Sequence, residues 1–275
     1  MTEPLAGWPA PAVPGLLGLL GLVAGAASNA LVERLPRRLE RDWWREIAAQ
    51  LVDAPGWRRM LGSAPPAGSE ETARAIERAL AAAPVTTAAP ASTARRLAVA
   101  AVTGALFAAA GWRFGATPAA FAWCAALATL VTLALVDLDT RLLPDGLTAP
   151  LLWGGLLAAT LHWTIAPQAA LWGAVGGYLV FWIPNVPFRW ATGREGMAPG
   201  DFKLLAALGA WLGWQAILPV TLIACLLGAL AGVALRLGGR RPEGEPIPFG
   251  PFLAAAGVLT MLVGTAPVLR WIGVD

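Results

Sequence analysis

Eight apolar runs, each close to the length of a membrane-spanning helix, limit what this chain can fold into. Such a helix needs about 20 mainly apolar residues. The runs are rich in Ala, Leu and Gly and do not alternate with the period of two that transmembrane strands show. The sequence therefore predicts an all-α fold, a polytopic membrane helix bundle with about eight transmembrane helices. The predicted spans are residues 13–32, 97–114, 118–136, 147–166, 169–186, 202–218, 219–237 and 251–272.

Composition agrees with a membrane protein. The chain is 57% hydrophobic and 13% charged, whereas soluble domains average roughly 25% charged residues. The boundary between the sixth and seventh spans is the weakest, because only Trp214 and Gln215 interrupt the apolar sequence there. The first basic residue, Arg34, follows the first run, so a signal peptide's basic region is missing and we expect that span to be retained.

The distribution of Lys and Arg predicts the orientation. If the N-terminus lies outside, the cytoplasmic segments are residues 34–96, 137–145, 188–203 and 236–250. These segments hold 11, 1, 3 and 3 of the chain's 20 basic residues. The positive-inside rule therefore predicts a multi-pass protein of the bacterial inner membrane with these segments in the cytoplasm. The net charge of +3 reflects this loop bias, and we expect membrane lipid but no nucleic acid as a partner.

The predicted organisation is a first span at residues 1–33, a cytoplasmic loop domain at 34–96 and a transmembrane core at 97–275. Within the loop domain, residues 35–47 are typical of an amphipathic helix, which lies on the membrane surface or packs under the bundle. Residues 70–83 predict a second helix. Segments 64–69 and 84–92 have the Pro, Ala and Thr content of linkers.

Cysteine and histidine are sparse. Cys124 and Cys225 both lie inside apolar runs, and we interpret them as small core residues rather than a disulfide or metal ligands. His162 is the one histidine, and beside Trp163 we expect it at the membrane interface. A catalytic triad would depend on this single histidine.

Two acidic motifs adjoin apolar runs, and carboxylates beside a bilayer are functional candidates. The candidates are Asp137, Asp139 and Asp145 in the first motif and Asp201 in the second. Two carboxylates that share a proton can hydrolyse a peptide bond, because the ionised one activates water while the protonated one polarises the carbonyl. Residues two apart point in different directions on a helix, so Asp137 and Asp139 cannot both face one site.

The helix dipole suggests an allocation of the proton. Asp201 lies at a predicted helix N-terminus, where the dipole favours the anion, and Asp137 at a C-terminus, where it does not. We therefore predict that Asp201 is the base and Asp137 carries the proton. The alternatives are that the acids cap loops and pair with Arg141, Arg194 and Lys203, or that they carry protons in a coupled transporter. Transporter sites cluster near the midplane, whereas these acids are at the membrane edge.

Four segments resemble the type IV prepilin leader peptidase family, among the GxGD intramembrane aspartyl proteases, over nearly the whole chain. Asp137 with Pro144 and Asp145 matches the family's D-x6-P-D motif, and residues 195–204 match the second motif, with Gly196, Gly200, Asp201 and Lys203. Residues 247–254 are similar to the segment before the last span. Asn29 with residues 34–36 and 40–41 is similar to the N-terminal signature.

The resemblance implies that Asp137 and Asp201 are the catalytic pair, supported by Pro144, Asp145, Gly196, Gly200 and Lys203. It also implies cleavage of a short basic leader, after a glycine, from prepilins of type IV pili or pseudopilins of type II secretion. Many members then methylate the new N-terminus with S-adenosylmethionine. A related protease with another client would instead cut within the apolar stretch of its substrate.

Three departures distinguish this chain from that family. Ala198 stands where GxGD has its first Gly, next to Pro199, and Ala27-Ser28 replaces Phe-Leu before Asn29. Many members carry paired CxxC motifs in the first cytoplasmic loop, where they resemble a zinc site. Residues 34–96 contain neither Cys nor His, so we expect no zinc there and no cofactor for proteolysis.

Overall fold

The structure is a computed structural model that describes residues 12–52, 67–82, 91–193, 196–238, 247–271 and 273. Over these ranges the chain is helical and shows no strand, as the all-α prediction requires. A 3₁₀ helix spans Trp214–Ala216. The α-helices are α1 Ala12–Val52, α2 Ser69–Ala82, α3 Thr93–Phe114, α4 Pro118–Thr140, α5 Asp145–Thr160, α6 Pro167–Thr192, α7 Pro199–Leu212, α8 Ile217–Leu237, α9 Gly250–Val263 and α10 Thr265–Trp271.

Each predicted run contains an α-helix, but the count of eight spans is not confirmed. Within the described ranges, five helical segments are long and apolar enough to cross a membrane: Ala12–Arg34, Thr93–Phe114, Pro118–Thr140, Pro167–Thr192 and Trp214–Leu237. A sixth is formed if α9 and α10, bent by 110°, count as one span. The chain is therefore a multi-pass membrane protein with two apolar helices, α5 and α7, that fall short of a full span.

Glycines explain where the predicted spans are interrupted. Gly213 has a φ of 88° and Gly264 a φ of 96°, positive values that favour glycine and that a continuing α-helix does not contain. Gly213 ends α7 after 14 residues, about 21 Å of helix. Gly264 breaks the predicted last span into α9 and α10. The sixth and seventh runs therefore separate at Gly213, beside Trp214 and Gln215.

The chain divides into two compact units, one of Met1–Ser28 with Ala94–Asp275 and the other of Asn29–Thr93. In the second unit α2 matches the helix predicted at 70–83, and Arg74 pairs with Glu70 at 2.8 Å on its exposed face. The segment 35–47 belongs to α1, which is continuous to Val52. The side chains of 35–48, half of the linker predicted at 64–69 and most of the linker predicted at 84–92 lie outside the described part of the chain.

Helix α7 lies at the centre of the first unit. It contacts α5, α6 and α9, and every residue from Leu204 to Trp211 is buried. A helix that is apolar on all sides is stable when protein surrounds it. The indole Nε1–H of Trp211 in α7 donates a hydrogen bond to the Leu151 carbonyl of α5 at 2.8 Å.

Small residues bring α6 against α7. Gly173 and Gly209 are in backbone contact, so a Cβ on either would meet the other's carbonyl. One helical turn after Gly173, a Cβ added to Gly177 would lie 2.5 Å from the Leu205 carbonyl oxygen. Close approach through glycines is typical of helix pairs in membranes. This packing fixes α7 and therefore the position of its first turn.

Candidate active site

Asp137 lies in the last turn of α4. Its backbone carbonyl accepts the N–H of Arg141, which caps the helix in a left-handed conformation, at 2.8 Å. The side chain is buried, with 5% of the residue surface exposed. The neighbouring Val136 is buried as well, so the carboxylate is held at the inner side of the end of α4.

Asp201 lies in the first turn of α7, the helix that the glycine contacts hold in place. Ala198 is the N-cap and Pro199 the first helical residue, a position for which proline is preorganised. The Asp201 N–H donates to the Ala198 carbonyl at 3.0 Å. Asp201 is also 5% exposed.

The start of α9 completes the site. The backbone N–H of Gly250 donates to Asp137 Oδ2 at 2.9 Å, so this oxygen is an acceptor. Leu143, in the loop after α4, packs against Gly200 and Gly250. A Cβ added to Gly200 would lie 2.8 Å from Leu143 Cβ, and a Cβ added to Gly250 would lie 3.2 Å from Leu143 Cδ2. The ends of α4, α7 and α9 therefore meet around Leu143.

The four candidate acids separate into two classes. Asp139 accepts two hydrogen bonds of 2.9 Å from Arg95 Nη2, and Asp145 accepts bonds of 2.7 and 2.8 Å from Lys203 Nζ. Both pairs are partly exposed. In the described part of the chain no cation pairs with Asp137 or Asp201. The predicted pairing with Lys203 is found at Asp145, whereas Asp139 pairs with Arg95, and the predicted partner Arg194 lies outside the described residues.

Burial changes the acidity of Asp201, which lies outside the candidate membrane spans. Loss of solvent, and after it the nearby charge of Asp137, together raise the pKa of Asp201 to about 7. The second contribution shows that the two carboxylates are close enough to influence each other. Asp201 thus holds a proton at a pH where an ordinary carboxyl group is ionised, which favours the opposite allocation to the one predicted from the helix dipole; the allocation itself stays a prediction.

The other predicted site residues take supporting positions. Pro144 is buried at the N-cap of α5, and its carbonyl accepts the N–H groups of Leu147 and Thr148 at 3.0 and 3.1 Å. The Asp145–Lys203 pair joins the first turns of α5 and α7, although an exposed pair of this kind contributes only about 0–1 kcal/mol. Gly200 leaves room for Leu143.

Ala198, the departure from GxGD, is compatible with this geometry. Its φ of −67° and ψ of 137° are extended values that any residue adopts. The backbone here does not require glycine.

Sequence reasoning missed two residues whose contacts reach the candidate site. Gly250 was recognised only as part of a matching segment, because its contact with Asp137 joins residues 113 positions apart. Asn185 was placed in an apolar run, yet its Oδ1 accepts the N–H groups of Gly196 and Met197 at 3.0 and 3.2 Å. A polar residue between Pro184 and Pro187 was the signal available for Asn185.

Cysteine and histidine lie away from the carboxylates along the chain. Cys124 is buried as predicted, but Cys225 is exposed, because the apolar run in which it lies presents that position outward from α8. His162 adopts a left-handed φ of 57° in the turn after α5. No three His, Cys, Asp or Glu side chains are grouped to hold a metal among the described residues.

Residues 124–233 match the type IV leader peptidase family, a segment that includes both buried aspartates. Over 261 residues the chain is 39% identical to the prepilin leader peptidase/N-methyltransferase of Burkholderia pseudomallei (strain 1026b), covering 90% of this chain and 84% of that protein. The chain belongs to the type IV leader peptidase family. Membership gives no support to the transporter interpretation.

Two further relatives of this chain are also described as a prepilin leader peptidase/N-methyltransferase. The protein of Pseudomonas aeruginosa is 38% identical over 258 residues, with 90% of this chain and 89% of that protein covered. The protein of Aeromonas hydrophila is 52% identical over 142 residues, 52% of this chain. The chain spans about half the length of this Aeromonas relative, 49%. No solved structure matches the chain significantly.

Proposed function

We propose that this protein is a membrane aspartyl endopeptidase that removes the basic leader from type IV prepilins or type II secretion pseudopilins at the cytoplasmic face of the inner membrane. One observation carries the proposal. Asp137 and Asp201 are buried and interact at the meeting of α4, α7 and α9, whereas Asp139 and Asp145 are neutralised by cations. A buried pair of carboxylates without a cation is suited to sharing one proton.

The raised pKa of Asp201 suggests the roles. Asp201, protonated near neutral pH, would donate a hydrogen bond to the scissile carbonyl. Asp137, oriented by the Gly250 N–H, would accept a proton from the attacking water. The C–O bond forms as Asp201 transfers its proton to the carbonyl oxygen, which gives a tetrahedral diol. The C–N bond then breaks as Asp137 passes the proton it took from water to the leaving amine, and a diol hydroxyl returns a proton to Asp201. Because the carboxylates titrate together, these roles describe the pair in its singly protonated form.

The orientation follows from the loop charges. The segments that end α4 and begin α7 belong to the face that carries the basic loops, which is cytoplasmic under the positive-inside rule. A prepilin would place its apolar helix against the bundle, in contact with lipid, and its basic leader in the cytoplasm. The predicted cut is therefore at the polar edge of the apolar stretch.

The decisive experiment is cleavage of a model prepilin in membranes holding wild-type protein, Asp137→Asn, Asp201→Asn or Asp139→Asn. Wild type should cleave, and each substitution in the pair should lower the rate by at least about 100-fold, because general acid–base catalysis contributes that much. Asp139→Asn is the matched control, since it removes a carboxylate two residues from Asp137 without touching the pair, and should retain activity.

Two outcomes would remove the proposal. Cleavage that survives both substitutions in the pair would exclude the catalytic assignment. A cut within the apolar stretch, mapped by mass spectrometry, would indicate a protease with another client.

Methylation of the new N-terminus is a separate proposal that rests on the names of the relatives. S-adenosylmethionine would supply the methyl group, and no residue of this chain is assigned to it. The mass of the cleaved product decides the matter: one additional methyl group supports the activity, and an unmodified amine with the donor present contradicts it.

A further inference from the structure

Asn185 occupies a turn of α6 that is poorly suited to a helix. Pro184 and Pro187 lie inside the helix, and each removes one backbone donor. Asn is itself a weak helix former. Helix stability therefore does not explain why these three residues occur in α6. The contacts of the Asn185 side chain suggest another reason.

The side-chain oxygen of Asn185 joins α6 to the loop that leads into α7. Oδ1 accepts the N–H of Gly196 at 3.0 Å and the N–H of Met197 at 3.2 Å. A carbonyl oxygen has two lone pairs, so one amide oxygen satisfies two adjacent backbone donors. The approach is close, because a Cβ at Gly196 would lie 3.0 Å from Phe188 Cδ1 and 3.2 Å from Asn185 Oδ1 and would push these side chains slightly aside.

Little freedom remains between this contact and Asp201. Met197 packs against the core, Ala198 is the N-cap and Pro199 the first helical residue. The Asp201 N–H then bonds the Ala198 carbonyl at 3.0 Å. A fixed φ at proline and a closed first turn transmit the position of Met197 to Asp201.

We propose that Asn185 is a positioning residue that holds the 196–198 loop and thereby sets the position of Asp201 relative to Asp137. The catalytic consequence rests on the proposed function, whereas the effect on the loop does not.

The test compares Asn185→Leu, which has a similar size but no acceptor, with Asn185→Asp, which keeps one. Hydrogen exchange should show that Asn185→Leu raises the exchange rate of the Gly196 and Met197 amides at least about tenfold, the loss of one hydrogen bond, and that Asn185→Asp restores protection. Gln168→Leu removes an exposed amide from the first turn of the same helix and should change neither amide.

Cleavage gives the second readout. Asn185→Leu should lower kcat by about 10- to 100-fold, the cost of a misplaced catalytic group, with little change in KM, and Asn185→Asp should recover kcat to within about threefold of wild type.

Amide exchange that is unchanged in Asn185→Leu would overturn the inference, as would a kcat equal to that of wild type. Failure of wild type to cleave would instead remove the proposed function, while the exchange experiment would still decide whether Asn185 holds the loop.

Discussion

At the scale of single residues, the buried carboxyl group of Asp201 links catalysis to stability. The folded protein binds its proton up to a pKa of about 7, whereas an unfolded chain releases it at about 4. Because the folded state holds the proton more tightly, this group stabilises the fold fully below about pH 4, and that contribution is lost as the pH rises through about 7. Above that pH the Asp201 carboxyl group is ionised in both states, so its effect on stability no longer changes with pH.

Asp201→Asn should therefore melt at a higher temperature than wild type above pH 7, and the difference should shrink as the pH is lowered toward 4. The amide cannot ionise, so it does not pay the desolvation cost of a buried anion. Thermal unfolding in detergent across this pH range is the measurement, with the partly exposed Asp139→Asn as control. A constant difference between wild type and Asp201→Asn would contradict the shifted pKa.

The sequence alone predicted some residues of the candidate site and not others. Asp137 and Asp201 were predicted from their motifs and their place at the ends of apolar runs. The proton allocation could not be predicted, because the dipole argument considered each helix alone while burial depends on the helices around it. Asn185 and Gly250 act on the pair through contacts that form only once α6, α7 and α9 are packed, so their importance was not visible in the linear order.

At the scale of elements, the start of α9 acts on the end of α4. Gly250→Ala would place a Cβ 2.7 Å from Asp137 Oδ2, closer than the atoms can remain, so the carboxylate must move. We expect cleavage to fall about 10- to 100-fold, as for other small displacements of catalytic groups. The rate of prepilin cleavage and the melting temperature should be measured together.

Gly15→Ala is the matched control, since a Cβ there meets nothing within 4 Å. Alanine also forms helices better than glycine, so weaker helix propensity cannot explain a loss in Gly250→Ala. Wild-type cleavage by Gly250→Ala would show that the contact between α9 and α4 is dispensable.

Element boundaries were the least predictable part of the fold. The length of an apolar run shows only where the sequence is hydrophobic. By that measure the residues of α7 and α8 form nearly one continuous apolar run. What separates them is the positive φ at Gly213, and Gly264 divides the last run in the same way. Since a glycine inside an apolar run is also used for helix packing, as at Gly173 and Gly209, the sequence does not reveal which glycine ends a helix.

At the scale of the whole molecule, the loop charges predict which end of the bundle faces the cytoplasm. Helix α6 offers a test, because Gln168 and Ala191 are exposed near its opposite ends. With Cys124 and Cys225 replaced by Ala, an impermeant maleimide should label Gln168→Cys in intact spheroplasts and Ala191→Cys only after lysis. Labelling in the opposite order would place the carboxylates on the outer side and exclude a cytoplasmic cut.

The shortness of α7 has a consequence for the surrounding lipid. About 21 Å of helix covers roughly two thirds of a hydrocarbon core of about 30 Å. With the aspartate of its first turn at the membrane edge, the far end of α7 stops short of the opposite interface unless the bilayer thins around it. Acyl-chain length thus becomes a variable of the reaction: in thinner bilayers α7 comes closer to crossing the hydrocarbon core, and in thicker ones the lipid must deform more to keep the aspartates at the polar edge.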